Sequence, residues 1–264
     1  MKKKKRSILF TGLLLLCTLF LLAVPVHAAK KVTNTWYSKS GKYYYYDAAG
    51  KRVTGVQKIG KYSYFFDSKG VQRTGWKKIK NDYYYFQIRN GKKGYMVKSK
   101  TINGIKLDSK GRASKKGNNL RKLKLMAEAN RIVEKITTPG MSQTEKLQKC
   151  FSYTKTAYGY TSWRNFSNKA GWELEFAEDM FYRGRGDCFS YGCAFAFLAN
   201  AAGAKNVYAI SSGGHGWAEI NGKVYDPDWA LVSKVDTYFD MSYSLSGIQG
   251  RPDYARNRLY AVKI

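Results

Sequence analysis

Histidine is almost absent from this sequence, with two in 264 residues, at positions 27 and 215. Cysteine is scarce too: four residues, at 17, 150, 188 and 193, with no C-x-x-C pair among them. A structural zinc site needs four nitrogen or sulfur ligands at short regular spacings, and these residues do not supply them. The sequence therefore implies no metal and no other cofactor. Once Cys17 is assigned to the leader described below, three cysteines remain, an odd number without a framework of spacings. At least one free thiol is expected, and a disulfide-stapled fold is not. Acidic residues are few, 18 against 47 Lys and Arg, leaving a formal net charge of +29. So one-sided a surface calls for a polyanion close by. Beyond residue 24 no apolar run is long enough to cross a bilayer.

What is present begins with a leader. Five cations lie in Met1–Arg6, an apolar run follows from Ile8 to Val24, and Pro25 ends it before Val26-His27-Ala28. That order predicts a secretory signal over 1–28. An uncleaved anchor is the competing reading, and Pro25 with the small residues after it favours cleavage. Removal of the five cations leaves a net +24. An exported chain rarely meets nucleic acid, so the expected polyanion is a wall polymer such as teichoic acid, or an acidic membrane surface.

Residues 36–113 repeat. Tyr43-Tyr44-Tyr45-Tyr46-Asp47, Tyr64-Phe65-Phe66-Asp67, Tyr84-Tyr85-Phe86 and Ile105-Lys106-Leu107-Asp108 each run into a glycine, at 50, 70, 91 and 111. A period near 20 marks a stacked array. In each unit Asp caps a turn and Gly takes its positive φ. A second short strand such as Thr74-Gly75-Trp76 is expected to complete a hairpin. One hairpin is marginal in water, so neighbours must bury each other's rings. Residues 60–76, Gly-Lys-Tyr-Ser-Tyr-Phe-Phe-Asp-Ser-Lys-Gly-Val-Gln-Arg-Thr-Gly-Trp, resemble a choline-binding or glucan-binding type of cell-wall repeat. Tyr and Phe stand at several positions where that family has Trp. The resemblance implies an all-β hairpin-repeat module (a β-solenoid) over 36–113. It also implies aromatic cages that hold choline by cation–π contact, or an array that binds glucan. The candidate ligand rings are Tyr44, Tyr46, Tyr64, Phe66, Trp76 and Tyr85. The expected partner is a bacterial cell wall (peptidoglycan, teichoic acid or glucan), on the surface of a Gram-positive-type bacterium. A purely structural spacer is the competing reading.

The polar stretch 109–119 reads as a linker, taken as 114–119 between the array and a domain over 120–264. A helix follows, with Leu120, Leu123, Leu125, Met126, Ala129, Ile132, Val133 and Ile136 on one stripe, and Pro139-Gly140 stops it. Ser142-x-x-Glu145 is a capping box for a second helix. A third is expected over about 173–182 and a fourth from Cys188 to about Ala202. Strands are expected over 207–210, 216–220 and 223–225, with 238–264 completing the sheet. Helices gathered before strands predict an α+β domain with an antiparallel sheet.

The chemistry-bearing residues lie in this domain. Cys188 opens an apolar helix after Gly184-Arg185-Gly186-Asp187, where the helix dipole and unpaired N–H groups favour a thiolate. Cys193 points roughly 140° around that helix, so the two are poorly placed to bridge. His215, in Gly213-Gly214-His215-Gly216-Trp217, is the one imidazole left after leader removal, and it opens a strand. Asn221-Gly222 signals a hairpin that returns the chain to Asp226, near His215. Asp228 competes for the same role. Arg185-Gly186-Asp187 also spells an integrin-binding tripeptide, but within a constrained turn.

Gly-x-Gly-Asp-Cys, His-x-Trp-x-Glu and Asp-Pro-x-Trp are together similar to the transglutaminase-like superfamily, which has a papain-like core. Gly216 stands where Ala is common and Asp228 where Thr is common. The resemblance covers roughly 120–235 and implies Cys188 as nucleophile, His215 as base and Asp226 as third member. The oxyanion donor is the backbone N–H of Cys188, with Trp163 or Tyr160 as side-chain candidates. It implies chemistry on amide or peptide bonds of a protein or peptide substrate, by hydrolysis (protease or amidase) or by acyl transfer to an amine. The alternative is a non-catalytic wall-binding scaffold or adhesion protein.

Overall fold

Aromatic strands joined by two-residue turns pair with their chain neighbours. The computed structural model describes residues 32–89, 91–233, 237–248 and 250–264. The secretory signal expected over 1–28 lies outside the described residues. In the array, β1 (Thr35–Lys39) pairs with β2 (Lys42–Tyr46) and β3 (Gly55–Ile59) with β4 (Tyr62–Phe66). β5 (Gln72–Arg73) adds to β4, β6 (Gly75–Ile79) pairs with β7 (Asp82–Phe86), and β8 (Thr101–Ile102) with β9 (Ile105–Lys106). These strands form separate two- and three-stranded sheets.

The repeat's turn has the expected chemistry. The Asp67 carbonyl accepts from the Gly70 N–H (2.9 Å), and its carboxylate accepts from the Lys69 and Val71 N–H groups (both 2.9 Å). Gly70 sits at φ +74°, a conformation L side chains rarely adopt. Asp108 repeats the pattern with Lys110 and Arg112. The third unit has Gln87 where the others have Asp, and there the chain takes a 3-10 turn at Gly91–Lys93 instead. Thr74-Gly75-Trp76 does not close the hairpin behind it. Gly75–Ile79 pairs forward with Asp82–Phe86, because the tight Lys80-Asn81 turn brings those strands together at once, and Gln72–Arg73 makes the backward pairing. Rings join successive hairpins: Trp36 lies 4.9 Å from Tyr64 and 5.7 Å from Phe66, and Phe65 lies 5.9 Å from Phe86.

The second part contains α1 (Asn119–Ile136), α2 (Gln143–Ala157), β10 (Gly159–Tyr160), α3 (Trp172–Arg183), β11 (Arg185–Gly186) and α4 (Cys188–Ala201). There follow β12 (Val207–Ser211), β13 (Gly216–Ile220), β14 (Lys223–Tyr225), α5 (Pro227–Val232), β15 (Met241–Ser242) and β16 (Tyr260–Lys263). The capping box at α2 forms: Glu145 accepts from the Ser142 N–H at 2.6 Å, and Ser142 accepts from the Glu145 N–H at 3.2 Å. Leu120, expected on the α1 stripe, is exposed, since it lies in the first turn before the helix meets its neighbours. The antiparallel sheet runs β15-β14-β13-β12-β16, so the C-terminal segment supplies both edges. Among the described residues no helix is long and apolar enough to cross a membrane.

Helix α4 is apolar all round, as a helix covered on every side must be. Helices α1, α2 and α3 and the strands β12 and β13 cover it. Its approach to β13 depends on missing side chains. A Cβ on Gly192 would meet the Trp217 backbone at 2.7 Å, and one on Gly216 would meet Phe189 Cα at 2.7 Å. Alanine at position 216 has no room here. Gly192→Ala should cost about 1–3 kcal/mol by overpacking and slow alkylation of Cys188 by parting α4 from β13. A denaturation midpoint unchanged from wild type would refute the close approach.

The segment 114–119 is tied to the array at its start. The Ser114 N–H donates to the Lys106 carbonyl (2.9 Å), and Lys115 pairs with Asp82 (2.7 Å). Trp76, Tyr83, Ile105 and Leu107 of the array share one apolar cluster with Leu123, Met126 and Phe197 of the helices.

Candidate active site

Three segments meet at the N-terminal tip of α4. Asp187 caps the helix, its carboxylate accepting from the Ser190 N–H (3.1 Å) and hydroxyl (3.2 Å). That carboxylate is buried, so the Arg-Gly-Asp tripeptide does not present it outward. Cys188 is the first helical residue, where backbone N–H groups have no partner within the helix. The short parallel pairing of β10 with β11 sets Tyr160 beside Gly186, and the Tyr160 hydroxyl lies against the Cys188 backbone N–H. Trp163 is half exposed, and its indole N–H donates to the Arg185 carbonyl at 3.4 Å. Of the two side-chain oxyanion candidates, Tyr160 has its polar atom at the cysteine.

His215 enters from the Ser212-Gly213-Gly214 turn, which the Ser212 hydroxyl closes by accepting from the His215 N–H (2.9 Å). Its Nε2 lies 2.6 Å from Asp226 Oδ2. The β13–β14 register pairs Ala218 with Tyr225. Continued by one step it sets Asp226 across from Trp217, on the face that His215 shares at i−2. The ring reaches that carboxylate diagonally, between Trp217 (6.2 Å) and Trp229 (6.3 Å). The Cys188 sulfur, a His215 ring nitrogen and an Asp228 carboxylate oxygen all lie within 4.8 Å of one another.

Asp226 is fully buried and fully partnered. Oδ2 also accepts from the Tyr254 hydroxyl (2.7 Å), and Oδ1 accepts from the Trp229 N–H (3.0 Å) as the cap of α5. Burial disfavours charge on His215, but the Asp226 carboxylate, its hydrogen bond and Cys188 outweigh that and hold the imidazole up to about 10. Tyr254 is the member that sequence reasoning missed: it lies 28 residues beyond Asp226, in a loop without periodicity or motif. The thiols away from the site differ. Burial pushes Cys150 up to about 12 and Cys193 well above the ordinary thiol range, and among the described residues all cysteines are free.

Asp228 lies by the same ring and the Cys188 sulfur, with less support. It is 7 % exposed, and its Oδ1 has no hydrogen-bond partner. Burial, with Asp226 adding to it and His215 opposing, pushes its carboxyl up from 3.8 to about 6. A carboxyl raised in the folded state binds a proton more readily there than in the unfolded chain. The cost of its charge is thus complete above about 6 and fades as pH falls towards 3.8. Asp228→Asn should be more stable than wild type at neutral pH by roughly 1–3 kcal/mol. The gap should close on acidification, and denaturant unfolding across a pH series reads it; a gap that widens in acid would contradict this account.

The candidate wall-ligand rings divide. Tyr44, Tyr64, Phe66 and Trp76 are buried, at 8, 2, 1 and 1 % exposure, while Tyr46 and Tyr85 are half-buried. Buried rings between hairpins are what hold the array together. A cleft of about 1130 Å³ beside the array is lined by Lys61, Arg89, Lys98, Lys100, Lys122, Lys205 and Lys263, with no Asp or Glu among the described residues that line it. Tyr62 and Tyr95 stack at its edge with ring centres 4.1 Å apart.

Residues 53–100 match the choline-binding repeat family, and residues 130–232 match the transglutaminase-like superfamily. No curated protein matches the chain. Among solved structures, a choline binding domain from Streptococcus pneumoniae is 21% identical with a TM-score of 0.29, over 33% of this chain and 99% of that one. Choline binding protein F from the same organism is 31% identical with a TM-score of 0.27, over 30% of this chain and 27% of that one. A pneumococcal cell wall endolysin from phage Cp-1, solved with choline, is 30% identical with a TM-score of 0.23, over 32% of this chain and 25% of that one. The chain thus spans about a quarter of the length of the latter two.

Proposed function

We propose that this chain is an exported, wall-attached cysteine enzyme that opens amide or peptide bonds through Cys188, His215 and Asp226. The observation that carries the proposal is the 2.6 Å contact of His215 Nε2 with Asp226, with the Cys188 sulfur within 4.8 Å of the same ring. Asp226, steadied by Tyr254, fixes the ring so that Nδ1 faces the thiol. The sulfur gives up its proton to that nitrogen and attacks the carbonyl carbon. The oxyanion forms beside the Cys188 N–H and the Tyr160 hydroxyl. The imidazolium returns its proton to the leaving amine, and a thioester remains on Cys188. Water or a second amine then attacks the thioester, His215 takes the incoming proton, and the thiol is restored. Water completes hydrolysis, and an amine completes acyl transfer.

The domain plan assigns 1–28 to a signal, 36–113 to wall-binding repeats that stack as a solenoid, 114–119 to a junction, and 120–264 to a papain-like core. The choline-binding repeat match supports wall attachment, and the net charge of +24 left after signal removal, with the cation-lined cleft, supports an anionic polymer as the partner. Incubation with purified cell wall and a fluorescent amine tests both functions. Wild type should release amine-containing fragments or incorporate the label, and Cys188→Ala should do neither. Equal outcomes from the two proteins would end the enzymatic proposal. Iodoacetamide at neutral pH should modify Cys188 and spare Cys150 and Cys193, as peptide mass spectrometry will read. Uniform or absent labelling would contradict an activated thiol.

A further inference from the structure

We infer that Cys188, His215 and Asp228 form an inhibitory site for a divalent transition-metal ion of the zinc class. The inference goes beyond the proposed reaction and shares its thiol. A thiolate, an imidazole nitrogen and a carboxylate oxygen are a mixed donor set that suits zinc with one position left for water. Their donor atoms lie within 4.8 Å of one another. Around a tetrahedral zinc ion such donors stand roughly 3.5 Å apart, so the set has only a short distance to close.

Two further observations point to an ion. Asp228 is more than nine-tenths buried and its Oδ1 has no hydrogen-bond partner, a costly state for a carboxylate that a cation would relieve. His215 already engages a carboxylate through Nε2, so Nδ1 is the nitrogen available to a metal. A histidine bound to metal through one nitrogen and to a carboxylate through the other is the usual supporting arrangement, and Asp226 supplies it here. The proton balance is simple. Cys188 and His215 share one proton, as thiol with neutral imidazole or as thiolate with imidazolium, and binding expels that proton to solvent. The ion then occupies the sulfur lone pair that the reaction needs. Sequence spacing hid the set, because its members come from α4, the turn before β13 and α5.

The test is zinc protection of Cys188 from iodoacetamide in the intact protein, each variant compared with itself in the presence of a chelator. In wild type, zinc should slow alkylation at least tenfold and the chelator should restore it. Asp228→Asn should raise the zinc midpoint at least tenfold. Cobalt(II) provides an independent reading: wild type should show a thiolate-to-metal absorption band that Cys188→Ala lacks. An unchanged midpoint in Asp228→Asn, or no cobalt band in wild type, overturns the inference. Failure of Cys188 to react without metal would instead count against the enzymatic proposal, and the cobalt band would still report on the metal site.

Discussion

Asp226→Asn should lower kcat for acylation by on the order of 10³–10⁴ while the protein stays folded. Asp226 Oδ2 accepts from His215 Nε2 and from the Tyr254 hydroxyl, which leaves the ring proton on Nε2 and the Nδ1 lone pair towards Cys188. An asparagine amide would turn its NH2 towards His215, placing the ring proton on Nδ1, where it blocks proton uptake from the thiol. The carboxylate that holds charge on the imidazole is also lost. The expected signature is a fall in kcat with KM near wild type, and an equal fall in the rate of Cys188 alkylation. The capping bond to the Trp229 N–H survives in asparagine, so thermal stability should change little. A loss under tenfold in both rates would remove Asp226 from the mechanism.

Trp76→Ala should destabilise the protein by about 3–5 kcal/mol, the cost of emptying a large buried aromatic site. The indole is 1 % exposed, and its N–H donates to Asn103 Oδ1 at 3.0 Å. The Trp76 backbone N–H donates to the Asn130 side chain on α1, and the neighbouring Lys77 pairs with Glu134 at 2.5 Å. The array and the helices share one apolar cluster at this place. Calorimetry should therefore give a single transition whose Tm falls by roughly 6–20 °C. Two separate transitions in wild type, with only the first moved by the substitution, would show that the parts melt independently.

Much of this was legible because the signals are local. Asp67 and Gly70 announce their turn, Ser142 and Glu145 their capping box, and Asn221-Gly222 the hairpin that carries Asp226 back towards His215. The strand partner of Gly75–Ile79 is not legible in the repeat, because pairing depends on which turn closes first, and the Lys80-Asn81 turn carries no Asp-x-x-Gly signal. Trp76 looked like a ligand ring, since an aromatic residue in a repeat says nothing of what will cover it. Here the cover is α1, more than 50 residues downstream. Tyr254 and the orphaned oxygen of Asp228 were out of reach for the same reason: each is defined by neighbours from other elements.

The shared cluster around Trp76 bears on reach. A catalyst on a slack leash sweeps out a volume, and its choice of target is set by chemistry alone. Here rings and ion pairs clamp the thiol-bearing domain to the array. Under the proposed function, hairpins settled on a polymer strand would hold the thiol in one direction at one height, and bonds presented elsewhere would go uncut.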